Sequence, residues 1–238
     1  MREKEKKKAE VATEIPPARP EAGAAARLQV LATEHWSLLA TRSLTYNESL
    51  SRVTIFLAIL SGALIALALV AQADRFGSAF VAIAIPTLLI VVFAGISTVA
   101  RLMALNRDDY RWVVGMNRLR HAYLELHPEL EPHFITSPHD DLRGALLTLG
   151  IESPEASGRV GSIFHLLQTL PGMLTVIVAA VGGAVAALTA LAVGGSSTAL
   201  VLAGAAGFVA LLALLTIWGS RSFGEVPPSL RPRFPSDQ

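Results

Sequence analysis

Histidine and carboxylate side chains that could bind a metal ion or catalyse hydrolysis are concentrated in one stretch of the chain, residues 127–141. Three histidines recur there at six-residue intervals among four acidic residues: His127, His133 and His139, with Glu129, Glu131, Asp140 and Asp141. A six-residue interval puts the imidazoles on no common helical face, and the stretch lacks the His-x3-His and Glu-x-x-His spacings that hold metals on helices. We therefore expect no metal, no cofactor and no catalytic residue, and we expect that the protein is not an enzyme.

Asp140 and Asp141 have a structural interpretation that needs no ligand. Ser137 is suited to cap a helix, Pro138 to occupy its first position and the two acids to occupy its first turn, and Gly150 follows the last leucine. This pattern predicts a short helix over residues 138–149 within a loop of residues 127–162.

The elements that must position this loop are long and apolar. Between Arg159 and Arg221 the chain runs 61 residues without Asp, Glu, Lys or Arg, and two shorter uncharged stretches precede it. A helix needs about 20 residues to cross the hydrocarbon core, and Gly-Ser and Asp-Arg-Phe-Gly-Ser turns separate the members of each pair. We predict an all-α membrane protein with four transmembrane helices in two hairpins, at residues 53–73, 79–100, 172–193 and 196–218.

The distribution of basic residues predicts the orientation of these spans. Of the 20 Lys and Arg residues, 19 lie before the first span, between the second and third, or after the fourth. Under the positive-inside rule, both termini and the loop are cytoplasmic. We expect an uncleaved multi-pass protein of the bacterial plasma membrane, in contact with the lipid bilayer. The net charge of +1 gives no reason to expect nucleic acid as a partner.

Two polar helices, helix A at residues 24–52 and helix B at residues 101–126, are predicted to extend the first hairpin. Apolar residues recur in each at alternating spacings of three and four, which is typical of a coiled coil. The two helices are expected to pack along these residues as one cytoplasmic stalk, with Glu34 and Arg118 at similar height. The seam residues are Ala32, Trp36, Leu39, Ser43, Tyr46, Leu50 and Val53 in helix A, and Leu102, Leu105, Asp109, Trp112, Met116, Leu119, Tyr123 and Leu126 in helix B.

One face of helix B carries the residues that we select as a partner-binding site: Arg107, Arg111, Asn117 and Arg118. Two interpretations remain open for this face. It is either a solvated surface or a docking surface for an acidic protein, anionic lipid headgroups or a phosphorylated ligand.

Small residues recur at four-residue intervals in three of the four spans, whereas ionisable residues are absent from most of their length. The absence of ionisable groups argues against ion-coupled transport. The small residues permit close helix packing, either within the bundle or between copies in a homo-oligomer. They are Ala58, Gly62 and Ala66, then Ala179, Gly183 and Ala187, then Ala199, Ala203 and Gly207.

Both ends of the chain, residues 1–23 and 219–238, combine charge with proline and are predicted to be disordered cytoplasmic tails.

Several short stretches of helix B and the following loop resemble uncharacterised actinobacterial multi-pass membrane proteins. The resemblance rests on Leu105–Asp109, Gly115–Tyr123, Pro128–Pro132 and Ser137–Asp141. It implies a bacterial plasma-membrane location and no known activity. In layout alone, with a cytoplasmic helix that runs into a membrane hairpin, the chain is similar to SLATT-like effectors of bacterial conflict systems.

Together these patterns predict a non-enzymatic interaction or regulatory protein that acts through its stalk on an unidentified cytoplasmic protein or on a second copy. The alternative is an oligomeric pore or membrane-perturbing effector gated by the stalk.

Overall fold

The computed structural model describes residues 20–150, 169–222 and 228–236, and every regular element in them is helical. The α-helices are α1 (Pro20–Asp74), α2 (Ser78–Leu126), α3 (Leu142–Thr148), α4 (Leu170–Ala192) and α5 (Ser197–Ser222). Two short 3-10 helices lie at Pro128–His133 and Pro228–Leu230. Helices α1, α2, α4 and α5 are long and apolar enough to cross a membrane. This confirms the prediction of an all-helical chain with four helices of that kind.

Helices α1 and α2 each continue without a break from a polar part into an apolar part. They are 55 and 49 residues long, and each joins a predicted polar helix to its adjacent span. We call residues 20–52 and 101–126 their polar halves. The chain reverses between them at Arg75 and Phe76, which both have positive φ, and the Asp74 carboxylate accepts a hydrogen bond of 2.7 Å from the Phe80 N–H.

Helix α2 lies at the centre of the fold, because it contacts both α1 and α4, while α5 packs on α4. The three central helices approach most closely at Gly95 of α2. A Cβ atom there would overlap Val178 of α4 and lie 3.0 Å from the Phe56 ring of α1. The absence of a side chain at Gly95 therefore allows both neighbours to reach the α2 backbone.

The small residues of the predicted spans have different environments. Gly183 faces the Gly204 carbonyl and Gly207 faces Ala186, so that these residues lie between α4 and α5. A Cβ atom at Gly62, in contrast, would have no described atom within 4 Å. The structure therefore places the residues of the third and fourth spans inside the bundle and those around Gly62 on its outer surface.

The polar halves of α1 and α2 meet along a face of α1 whose residues are shifted by one position from the predicted seam. Arg42 and Leu38 of α1 face α2, whereas Trp36 and Tyr46 are 71% and 61% exposed. The prediction was wrong for five seam residues of helix A, because the inner face of α1 is largely polar, and apolar periodicity does not detect polar pairing. These residues are all exposed: Trp36, Leu39, Ser43, Tyr46 and Leu50. On α2, the seam residues Leu102, Leu105 and Met116 are buried.

Candidate functional site

The C-terminal segment, residues 228–236, lies on the polar half of α2, and its main anchor is Asp140. The Asp140 side chain is fully buried. Its carboxylate accepts hydrogen bonds from the Arg233 N–H at 2.9 Å and the Phe234 N–H at 2.8 Å, and from Arg118 Nε at 2.7 Å. The Asp140 N–H in turn donates to the Phe234 carbonyl at 3.2 Å. Asp140 thus binds the segment through the N–H group of Arg233 and through both the N–H and the carbonyl group of Phe234.

Arg118 binds the same segment from α2. Its two terminal nitrogens donate to the Ser229 carbonyl at 3.0 Å and the Arg231 carbonyl at 2.9 Å, while its Nε donates to Asp140. The planar guanidinium group can hold three acceptors in one fixed geometry. Arg118 therefore joins α2, the loop and the C-terminal segment.

Asp141 has two structural roles. One carboxylate oxygen accepts a hydrogen bond of 2.8 Å from the Gly144 N–H and so caps α3. The other accepts from the Ser236 N–H at 3.2 Å and from the Ser236 hydroxyl. Helix α3 consequently begins at Leu142 and not at residue 138. Its N-cap is Asp141, and not Ser137 as the sequence predicts.

Two side chains of the C-terminal segment make ring or apolar contacts. The Phe234 ring stacks on the His121 imidazole with a centroid distance of 3.9 Å and an interplanar angle of 21°. Leu230 packs against a small apolar cluster formed by Val113, Val114, Met116 and Ala145. We call Arg118, His121, Asp140 and Asp141 the docking site.

Asn117 holds the loop on α2 beneath the docking site. It is fully buried, and its Nδ2 donates to the His139 carbonyl at 2.7 Å. Its Oδ1 accepts from Arg120 at 2.7 Å and from the Thr148 hydroxyl at 2.9 Å. One amide thus fixes the position of residues 139–148, which carry both carboxylates of the site.

Both carboxylates of the docking site have a lowered pKa. Burial by itself would raise the pKa of Asp140, but the hydrogen bonds from Arg233, Arg118 and Phe234 together outweigh it. Burial also opposes the lowering at Asp141, where Ser236 and Gly144 donate hydrogen bonds. Both groups are therefore ionised acceptors near neutral pH, which is the state that the main-chain N–H groups require.

The four residues selected on helix B do not share one environment. Asn117 and Arg118 lie together at the docking site, where the acidic partner of Arg118 comes from the same chain. Arg111 pairs with Asp108 at 3.1 Å, and Arg107 is half-buried. Arg118 pairs with Asp140, whereas Glu34, which was expected at a similar height, is on the exposed side of α1.

The three histidines of the loop are separate from one another. His127 Nδ1 lies 2.9 Å from Glu129 Oε1, and His133 is exposed. The buried His139 Nδ1 has no hydrogen-bond partner among the described residues. Within residues 20–150, 169–222 and 228–236, no three His, Asp or Glu residues are grouped so that they could hold a metal ion.

The docked C-terminal segment is the structural element that sequence reasoning missed. Residues 20–23 belong to α1, residues 219–222 belong to α5 and residues 228–236 are docked, and all three differ from the predicted disorder. Residues 223–227 and 237–238 lie outside the described residues, as do 1–19 of the N-terminal tail and 151–162 of the loop. Leu230 and Phe234, the two large apolar residues among its prolines, were the available signal.

The docking site holds a short segment of the same chain mainly through its main-chain groups. Most of its hydrogen bonds go to main-chain groups, and the side-chain preferences are an aromatic ring on His121 and a hydroxyl group on Asp141. No family model, curated protein or solved structure matches this chain.

Proposed function

We propose that this chain is a non-enzymatic interaction protein of the bacterial plasma membrane that acts through a cytoplasmic stalk. In this proposal its four apolar helices cross the bilayer as two hairpins, α1 with α2 and α4 with α5. The contacts within these pairs and the 19-to-1 distribution of basic residues support this arrangement. The polar halves of α1 and α2 then form the stalk, with both termini in the cytoplasm.

The stalk interacts with its partner through the docking site. The observation that carries this proposal is the recognition of main-chain atoms in residues 228–236 by Asp140 and Arg118. A site that binds main-chain groups accepts another segment whose main chain follows the same path and whose side chains fit. The chain's own segment occupies the site, and a partner segment with an aromatic residue and a hydroxyl residue at matching positions takes its place.

Tethering makes this interaction conditional. A segment attached to the same chain competes at a high effective concentration, because its binding is intramolecular. To displace the chain's own segment, a partner must therefore bind with higher affinity or be present at a high local concentration at the membrane. The stalk is consequently a regulated binding element.

Direct peptide binding tests the proposal. The probe is a fluorescent peptide with the sequence of residues 228–236, added to the full chain in nanodiscs. The protein carries Leu230→Ala and Phe234→Ala, which weaken its own segment but leave the docking site unchanged. We expect this variant to bind the peptide at least about tenfold more tightly than the unmodified chain, since the competing segment is weakened.

Two further variants make the result specific. Asp140→Asn, added to the weakened-segment protein, should reduce binding at least about tenfold because it removes the charge that accepts two main-chain N–H groups. Arg111→Gln, on the same helix but paired with Asp108, should leave binding unchanged. Equal peptide binding by the unmodified and weakened-segment proteins, or unaltered binding by Asp140→Asn, would refute the docking function.

A further inference from the structure

A stripe of apolar residues runs along the outer surface of the polar half of α1. Trp36, Leu39, Ser43, Tyr46 and Leu50 follow one another at alternating spacings of three and four, and all five are exposed. We call these residues the outer stripe. Leu57 and Leu64, which are also exposed, continue it into the apolar half at steps of seven residues.

The spacing of the outer stripe indicates a helix as its partner. An alternation of three and four keeps side chains on one line along a helix, where they fit between the side chains of a second helix. Within the described residues, α2 packs on another side of α1, through Leu38 and Arg42. The outer stripe is therefore a second helix-packing face, beside the one that α2 covers.

Membrane insertion determines the direction of this second helix. If all copies of the chain cross the bilayer in one orientation, equal residues of two copies lie at equal height. A parallel pair of α1 helices then places Trp36 opposite Trp36 and Leu50 opposite Leu50, as a two-fold interface requires. The parallel pair rests on the common membrane orientation in the proposed function, and it is independent of peptide binding at the docking site.

Charge along the borders of the stripe is compatible with such a pair. The bordering residues are Ala40 and Asn47 on one side and Arg42 and Ser49 on the other. Arg42 is paired with Asp109 of its own chain at 2.6 Å. In a parallel pair, Arg42 of one copy faces the neutral Asn47 of the other, so that no unpaired like charges meet.

The exposed aromatic side chains supply a large part of the area that a specific interface needs. Trp36 and Tyr46, at 71% and 61% exposure, would remove on the order of 300 Å² from water in each copy. The two copies together would then supply about half of the roughly 1,200 Å² at which specific interfaces begin. Leu39 and Leu50 in water, with Leu57 and Leu64 in the bilayer, extend the contact.

We propose that a second copy of this chain docks on the outer stripe and forms a parallel α1–α1 pair. The Cys-free sequence allows a clean test, since any introduced cysteine is the only thiol. Ser43→Cys places a thiol in the centre of the stripe, and Ser37→Cys places one at an exposed position on another side of α1. Both are changes from serine in the same helix, so that the second is a matched control.

Mild oxidation of the protein in proteoliposomes should link the Ser43→Cys copies at least about tenfold more than the Ser37→Cys copies. A disulfide needs Cα atoms within about 7 Å, a separation reached only where the two helices touch. The linked fraction should persist when lipid is added, because a specific pair survives dilution whereas random collisions do not. Equal linkage of the two variants, or linkage of Ser37→Cys alone, would overturn the proposal.

A second pair of variants tests the same interface without cysteine. Tyr46→Ala with Leu50→Ala should reduce the dimer fraction at least about tenfold at one protein-to-lipid ratio. Val30→Ala with Leu44→Ala, which also removes two exposed apolar side chains from α1, should not change it. Circular dichroism establishes that both double variants keep their helical content. A dimer fraction that is unaffected by the Tyr46 and Leu50 changes would contradict docking on the outer stripe.

Discussion

Arg42 of α1 and Asp109 of α2 lie 67 residues apart in the chain, yet the Arg42 Nε atom is 2.6 Å from Asp109 Oδ1. A second bond of 3.3 Å joins Arg42 Nη2 to Oδ2, so that the pair is bidentate. The buried Arg120 lies near enough for the Arg42 charge to lower its pKa, although burial is the larger cause. Arg42 is thus paired with Asp109 and also acts electrostatically on the buried Arg120.

This arrangement predicts unequal effects of removing the two partners. Asp109→Asn leaves Arg42 and Arg120 as neighbouring cations, and we expect it to lower the free energy of unfolding by about 2 kcal/mol. Arg42→Gln removes one of those cations, and we expect a loss of about 1 kcal/mol, which is typical of a partly exposed pair. Urea unfolding of the protein in detergent micelles measures both. The reverse order would show that an unpaired Asp109 costs more than the repulsion between Arg42 and Arg120.

Glu48 predicts a specific acid sensitivity. Hydrogen bonds from Arg101 and Arg52 lower the pKa of Glu48 from 4.5 to about 2. Because the folded protein prefers the ionised form, this contribution to stability is present above pH 4.5 and is lost as the pH falls toward about 2. In Glu48→Gln, thermal unfolding midpoints should therefore vary less over this interval than in the unmodified protein. Glu34→Gln, an exposed change in the same helix, should retain the original pH dependence.

Asn117 should contribute more to stability than any one of its hydrogen-bond partners. Asn117→Ala leaves the His139 carbonyl, the Arg120 guanidinium and the Thr148 hydroxyl each without one bond, and we expect a loss of about 2 kcal/mol. Thr148→Val removes only one of the donors to Asn117 and should cost about 1 kcal/mol or less. Chemical unfolding of the two variants gives the comparison. Similar losses would mean that Asn117 does not hold the loop on α2.

Gly95 of α2 and Gly62 of α1, both in the apolar parts of their helices, provide a matched pair of sites for substitution by alanine. Gly95→Ala forces a methyl group against Val178 and Phe56, and we expect a loss of about 1–3 kcal/mol from overpacking. Gly62→Ala meets no described atom within 4 Å and should leave stability unchanged or raise it by up to about 1 kcal/mol, since alanine favours the helix. Thermal unfolding in one detergent distinguishes the two variants. A neutral Gly95→Ala would show that the three helices do not meet closely there.

The apolar pattern of the chain predicted its helices well but predicted their inner faces only in part. It placed Leu102, Leu105 and Met116 correctly, since these residues are buried. It placed Trp36 and Tyr46 in the contact between α1 and α2, yet both are exposed. Hydrophobic periodicity shows that a helix has an apolar line, but it does not show which neighbour covers that line.

The sequence by itself determined the all-helical class and the number and extent of the four long apolar helices. The reason is physical: an uncharged stretch of about 20 residues is incompatible with water, and its backbone must form its own hydrogen bonds. Only the tertiary structure decided that Arg42 faces Asp109 and that Asp140 binds the N–H groups of Arg233 and Phe234. These contacts join residues that are 67 to 94 positions apart. Such pairings depend on how the helices are placed, and no local pattern in the chain records that placement.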